Sequence, residues 1–116
     1  MDFQSEIVNA ITQAMPADAN IQVVGSIGGF RVGVSWKLND DPERPNKMSK
    51  TISIVISDEA AQDYSSASSQ SQQEAYERLN TFLSQKLSSF DPSHDVPKYE
   101  PPPVEKWIIT SNILIG

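Results

Sequence analysis

Arg44, Lys47 and Lys50 stand close together in one short stretch of the chain. Lysine and arginine are the side chains that hold phosphate and carboxylate by charge-assisted hydrogen bonds. Residues 44–50 are therefore a candidate anion-binding or nucleotide-binding loop. His94, the only histidine, lies between Asp91 and Asp95. One imidazole beside two carboxylates can begin a metal site, but a working site needs three or four ligands on a rigid frame, and this group falls in a proline-rich segment. Asp40, Asp41 and Glu43 lack the glycine and the spaced oxygens of a calcium loop and read as a solvated turn. Serines are many, yet a single histidine in an extended segment offers no evident base for a nucleophile. The chain has no cysteine, which removes thiolate chemistry, disulfides and cysteine-ligated zinc together. No catalytic residue, metal or other cofactor is assigned, and the expectation is a protein that is not an enzyme.

The loop also contains KMSKT, from Lys47 to Thr51. This stretch is similar, one residue short of a full match, to the KMSKS signature of class I aminoacyl-tRNA synthetases, a mobile loop whose lysines hold the ATP phosphates. The resemblance implies nucleotide chemistry at Lys47 and Lys50 within that family's frame, a parallel-sheet domain with a HIGH-type histidine pair near its start. Here His94 lies downstream of the loop and a hairpin precedes it. The expected reading is a lysine-bearing surface loop, with anion binding as the alternative function.

A second candidate comes from the distribution of bases. Five of the nine, Arg31, Lys37, Arg44, Lys47 and Lys50, fall between positions 31 and 50, against three acids. Two of them belong to NIQVVGSIGGFRVGVSWKL, which reads as a β-hairpin. Gly28 and Gly29 suit the centre of a tight turn, where positive φ favours glycine. That turn pairs Ile27 with Phe30, Gly25 with Val32, Val23 with Val34 and Ile21 with Trp36, all apolar or glycine, and leaves a polar set on the other side. TISIVIS, residues 51–57, alternates in the same way and supplies a third half-buried strand. The open face would then carry Val24, Arg31, Ser35, Lys37, Ser53 and Val55, small side chains with two cations among them. It is a candidate face for docking an acidic partner.

The elements that position these residues follow from periodicity. Phe3, Ile7, Ala10, Ile11 and Ala14 share one helical face, and Pro16 stops the pattern, so a helix is expected over residues 2–15 with Asp2 as its cap. Asp58 and Glu59 open a second helical stretch. A single helix from there to Phe90 would be about 50 Å long at ~1.5 Å per residue, too long for this domain. The serine-rich run from Ser65 to Ser71 is the expected break, and Ser71 with Glu74 makes a capping box for a main second helix near 72–88. Residues 91–104 form a proline-rich connector. EKWIITSNILI returns as a β-rich segment whose apolar residues fall on both parities, as in a strand covered on both sides or packed on a partner.

The expected fold class is α+β: one domain over residues 1–116, a two-layer sandwich with an antiparallel-rich sheet and helices on one face, in the order α-β-β-β-α-β. Its first five elements are similar in order to those of double-stranded-RNA-binding domains, and its gross plan and acidity to those of type III secretion chaperones. Asp58 and Glu59, however, open the second helix where the RNA-binding family presents lysines to phosphate.

At 116 residues, with 38% hydrophobic and 21% charged residues, the chain is long enough to bury one ordinary core. The net charge is −6, shared equally between residues 1–60 and 61–116. Neither half is a basic platform, so no nucleic acid is expected as partner. The N-terminal MDFQSEIVNAI lacks the lysine or arginine and the long apolar run of a secretory signal, and no stretch approaches the ~20 apolar residues that span a bilayer. A soluble, cytoplasmic protein without membrane attachment is expected. The leading function is a small acidic non-enzymatic module that binds another protein or itself.

Overall fold

The computed structural model describes residues 3–26, 29–39, 42–97 and 99–114, with the backbone alone for Phe3 and Ser26. The cap expected at Asp2, the facing of Phe3, the turn position of Gly28, the Ile27–Phe30 pair and the Asp40–Asp41 turn lie outside the described features. The element order is α1 (Phe3–Ala14), β1 (Asn20–Ser26), β2 (Gly29–Ser35), β3 (Thr51–Ser57), α2 (Asp58–Ser66), α3 (Ser69–Ser89), β4 (Val104–Ile109) and α4 (Ser111–Leu114). The fold is α+β. The helical stretch after β3 is divided into two helices at the expected break, and the expected order is corrected at its end, where a short helix follows β4.

The four strands form one sheet in the order β1-β2-β3-β4. β1–β2 and β2–β3 are antiparallel, whereas β4 runs parallel to β3. A parallel neighbour needs a long crossover, and α2, α3 and the connector supply it. Three rows of inward side chains cross the sheet: Ile21–Val34–Ile52, Val23–Val32–Ile54–Trp107 and Gly25–Phe30–Ile56–Ile109. They meet Ile7, Ala10 and Ile11 of α1, Ala60 and Tyr64 of α2, Ala75, Leu79 and Leu83 of α3 and Leu114 of α4. Enclosing each branched aliphatic side chain of this core stabilises the fold by roughly 1.5–3 kcal/mol.

The hairpin register differs from the expected one by two residues. Ser26 pairs with Gly29, Gly25 with Phe30, Val23 with Val32 and Ile21 with Val34. The faces are unchanged, because side chains alternate with period two and a shift of two returns each to its own side. Gly29 is a strand residue instead of a turn centre. It has φ +140, and a Cβ built on it would run into the Ile56 carbonyl oxygen of β3. Glycine is required there by the close approach of β3.

The break between α2 and α3 lies within the serine-rich run, at Ala67 and Ser68, both extended. Ser57 caps α2 by accepting the Ala60 N–H, and Ser68 caps α3 by accepting the Ser71 N–H at 3.2 Å. The second start therefore comes three residues before the expected capping box, with Ser71 serving as the capped donor. At the other end of the chain, the mixed parity of the last segment has a local cause. Trp107 and Ile109 point inward from β4, the chain then turns into α4, and Leu114 reaches the core from a helix. Among the described helices none is long and apolar enough to cross a membrane.

Candidate interaction face

All the helices pack on one side of the sheet, and the other side is open. Its central row runs Val24–Arg31–Val55–Ile108, and the neighbouring row Gln22–Gly33–Ser53–Lys106. The two-residue shift brings Val24, Arg31 and Val55 into direct register. Ser35 pairs with Asn20 in a further row. Lys37 lies exposed just past the end of β2, where it bridges to Met48.

Exposure is uneven across this surface. Val24 is 44% and Ile108 52% exposed, while Ser53, at the centre, is only 7% exposed. The middle is thus flat and closed, with apolar side chains standing at the β1 and β4 margins. Arg31, Lys37 and Lys106 are exposed. Among the described residues, no Asp or Glu points outward from any of the four strands, since Glu105 lies on the inward parity of β4 and accepts the Trp107 indole N–H. Lys106, Ile108 and the exposed Val104 belong to this face and were missed from sequence. The inward pair Trp107 and Ile109 was the available signal, because it forces Ile108 outward.

The basic loop makes a different site. Its backbone is fixed by Leu38 N–H donating to the Lys47 carbonyl and by Lys50 N–H donating to the Pro92 carbonyl. The Arg44 guanidinium donates to the Val96 carbonyl at 2.9 Å. Between loop and connector lies a cavity of about 450 Å³, lined by Arg44, Lys47 and His94 but also by Glu43 and Glu100. Lys50 is not part of its lining. The structure therefore brings Arg44 and Lys47 together and sets two carboxylates beside them.

His94 is held at both ring nitrogens. Val96 N–H donates to Nδ1, so the proton sits on Nε2, which donates to the Met48 carbonyl at 2.8 Å. Asp91 accepts the Ser93 N–H. His94 thus ties the connector to the loop, and no group of three or more His, Asp or Glu side chains is placed to hold a metal among the described residues.

A polar junction under the helices had no sequence signal. Tyr64 of α2 is buried and donates to the Glu6 carboxylate of α1 at 2.6 Å. Burial first, then the hydrogen bond and the negative charge of Glu6, holds its phenol well above the usual tyrosine range. Partners so far apart in sequence leave no local pattern.

No protein-family model, curated protein or solved structure matches this chain.

Proposed function

We propose that the chain is a non-enzymatic, cytoplasmic protein-binding module that docks an acidic partner on the open face of its sheet. The reading rests on one observation: in a chain of net charge −6, the described outward positions of the sheet hold no acid, while Arg31, Lys37 and Lys106 are gathered there with Val24, Val55 and Ile108. A flat face that carries charge of one sign among exposed apolar side chains favours a partner of opposite sign and steers its approach. The anion-binding alternative is less favoured, because Arg44 is committed to the Val96 carbonyl and Glu43 and Glu100 share the cavity.

The test is affinity capture from native lysate with three proteins: the unmutated chain, Arg31→Glu/Lys106→Glu, and Lys86→Glu on the exposed side of α3. The reading expects acidic polypeptides retained by the first and third, lost by the second and released by salt. Equal retention by all three would remove the face from consideration.

A further inference from the structure

β1 forms one edge of the sheet and β4 the other. An open edge presents unpaired backbone N–H and C=O groups to any passing strand, and proteins blunt such edges with charge, proline or bulges. β4 is blunted. It carries Glu105 and Lys106 and follows Pro101, Pro102 and Pro103. β1 has none of these devices: NIQVVGS contains no charge and no proline, and its pairing with β2 continues without a bulge over all seven residues. Val23 and Val24 point to opposite sides of the sheet, and both are exposed, at 39% and 44%.

The helix surface beside this edge is also uncharged. Gln4, Ser5, Val8, Asn9 and Thr12 of α1 line, with Val23, a cavity of about 430 Å³ between helix and strand. The one acid of α1, Glu6, accepts from Tyr64. Two copies of a chain of net charge −6 repel one another, and the repulsion is least where neither presents its acids. The β1 edge with the α1 flank is such a surface.

The geometry points to a second copy of this chain as the occupant, its β1 pairing antiparallel with the first about a two-fold axis at Val23. A two-fold contact uses the same patch twice and must therefore fit itself. In the register that overlaps the whole strand, Val23 meets its counterpart, Gln22 meets Val24 and Ile21 meets Gly25. A Cβ added at Gly25 would have nothing within 4 Å, so the space above it is open to the half-buried Ile21 of the other copy. The product is a continuous sheet of twice the width, covered by helices on one side and presenting both open faces on the other. The inference uses the edge and not the face, so it stands independently of the docking function.

An interface made of two short strands and two helix flanks lies at the low end of specific interfaces, and a dimer constant of about 1 to 100 µM is expected. Sedimentation equilibrium should show reversible monomer and dimer in that range. Val23→Lys sets like charges opposite each other and should weaken the dimer by about tenfold or more, with the far-ultraviolet spectrum and melt of the protomer retained. Should that variant misfold, Val23→Cys decides. The chain has no other thiol, and residues directly opposite in an antiparallel pair have Cα atoms about 4.5–5.5 Å apart, within disulfide reach. Mild oxidation should then give a covalent dimer, whereas Glu77→Cys on α3 should give none. A monomer at every concentration overturns the proposal and leaves the edge to an extended peptide of different sequence. A dimer that Val23→Lys does not weaken overturns it equally and places self-association on another surface.

Discussion

The Ser49 hydroxyl accepts the backbone N–H of Trp36 at 3.0 Å and donates to the Lys50 carbonyl at 2.9 Å. In return, Ser49 N–H donates to the Trp36 carbonyl at 2.7 Å. The serine at the centre of KMSKT is fully buried and rivets the loop to the end of β2. Ser49→Ala removes the acceptor of a part-buried N–H and should cost about 1–3 kcal/mol, the penalty for an unsatisfied buried donor. Urea denaturation measures it, and an unchanged midpoint would show that the rivet contributes nothing.

The backbone groups of Lys47 and Lys50 hold the loop in place, and any residue but proline provides those groups. Lys47→Ala/Lys50→Ala should therefore keep the fold, with stability lowered by no more than about 1 kcal/mol, the range of a surface charge contact. Titration calorimetry of the unmutated protein with ATP and magnesium should give no saturable heat. Micromolar binding abolished by the double substitution would instead restore the anion-binding function of residues 44–50.

Tyr64 predicts a pH dependence. Its folded-state pKa is raised by burial and by Glu6, so the native state holds the phenolic proton more tightly than the unfolded chain. The resulting stability is present in full below the ordinary tyrosine value of about 10 and is lost as pH rises through the higher folded value. Unfolding free energy should fall with pH above about 10 in the unmutated protein, and Tyr64→Phe should flatten that limb. At neutral pH the same substitution should cost about 1.5–3 kcal/mol for the lost charge-assisted hydrogen bond. Equilibrium unfolding across the alkaline range tests both.

Two glycines of one hairpin should respond differently to alanine. Gly29 combines φ +140 with the Ile56 carbonyl against its α-carbon, whereas Gly25 faces open space. Gly29→Ala should cost about 1–3 kcal/mol from backbone conformation alone, with the steric conflict added to it. Gly25→Ala should stay within about 0.5 kcal/mol. Thermal melts of the two variants side by side will separate them, and equal melting points would contradict the strand role of Gly29.

Much of the fold is legible in local patterns because each rests on short-range geometry. Ile7, Ala10 and Ile11 recur at helical spacing and are buried; Ile52, Ile54 and Ile56 alternate and are buried; Ser57 caps α2 beside Asp58 and Glu59. Of the open face, Val24, Arg31 and Val55 were found by parity. Lys106 and Ile108 were not, because the reversal into α4 mixes helical and strand periods within a few residues of β4.

Sequence alone determined which side of the sheet the described side chains of β1, β2 and β3 face, since alternating polarity separates core from solvent. It could not choose between registers two residues apart, because such a shift returns every side chain to its own face. In the observed register Gly29 lies in β2 against Ile56 of β3, a long-range contact that no local pattern records. The parallel seat of β4 and the pairing of Tyr64 with Glu6 were likewise decided in three dimensions. Their partners are brought together only when the helices close over the sheet, and periodicity within a segment carries no record of what that segment will meet.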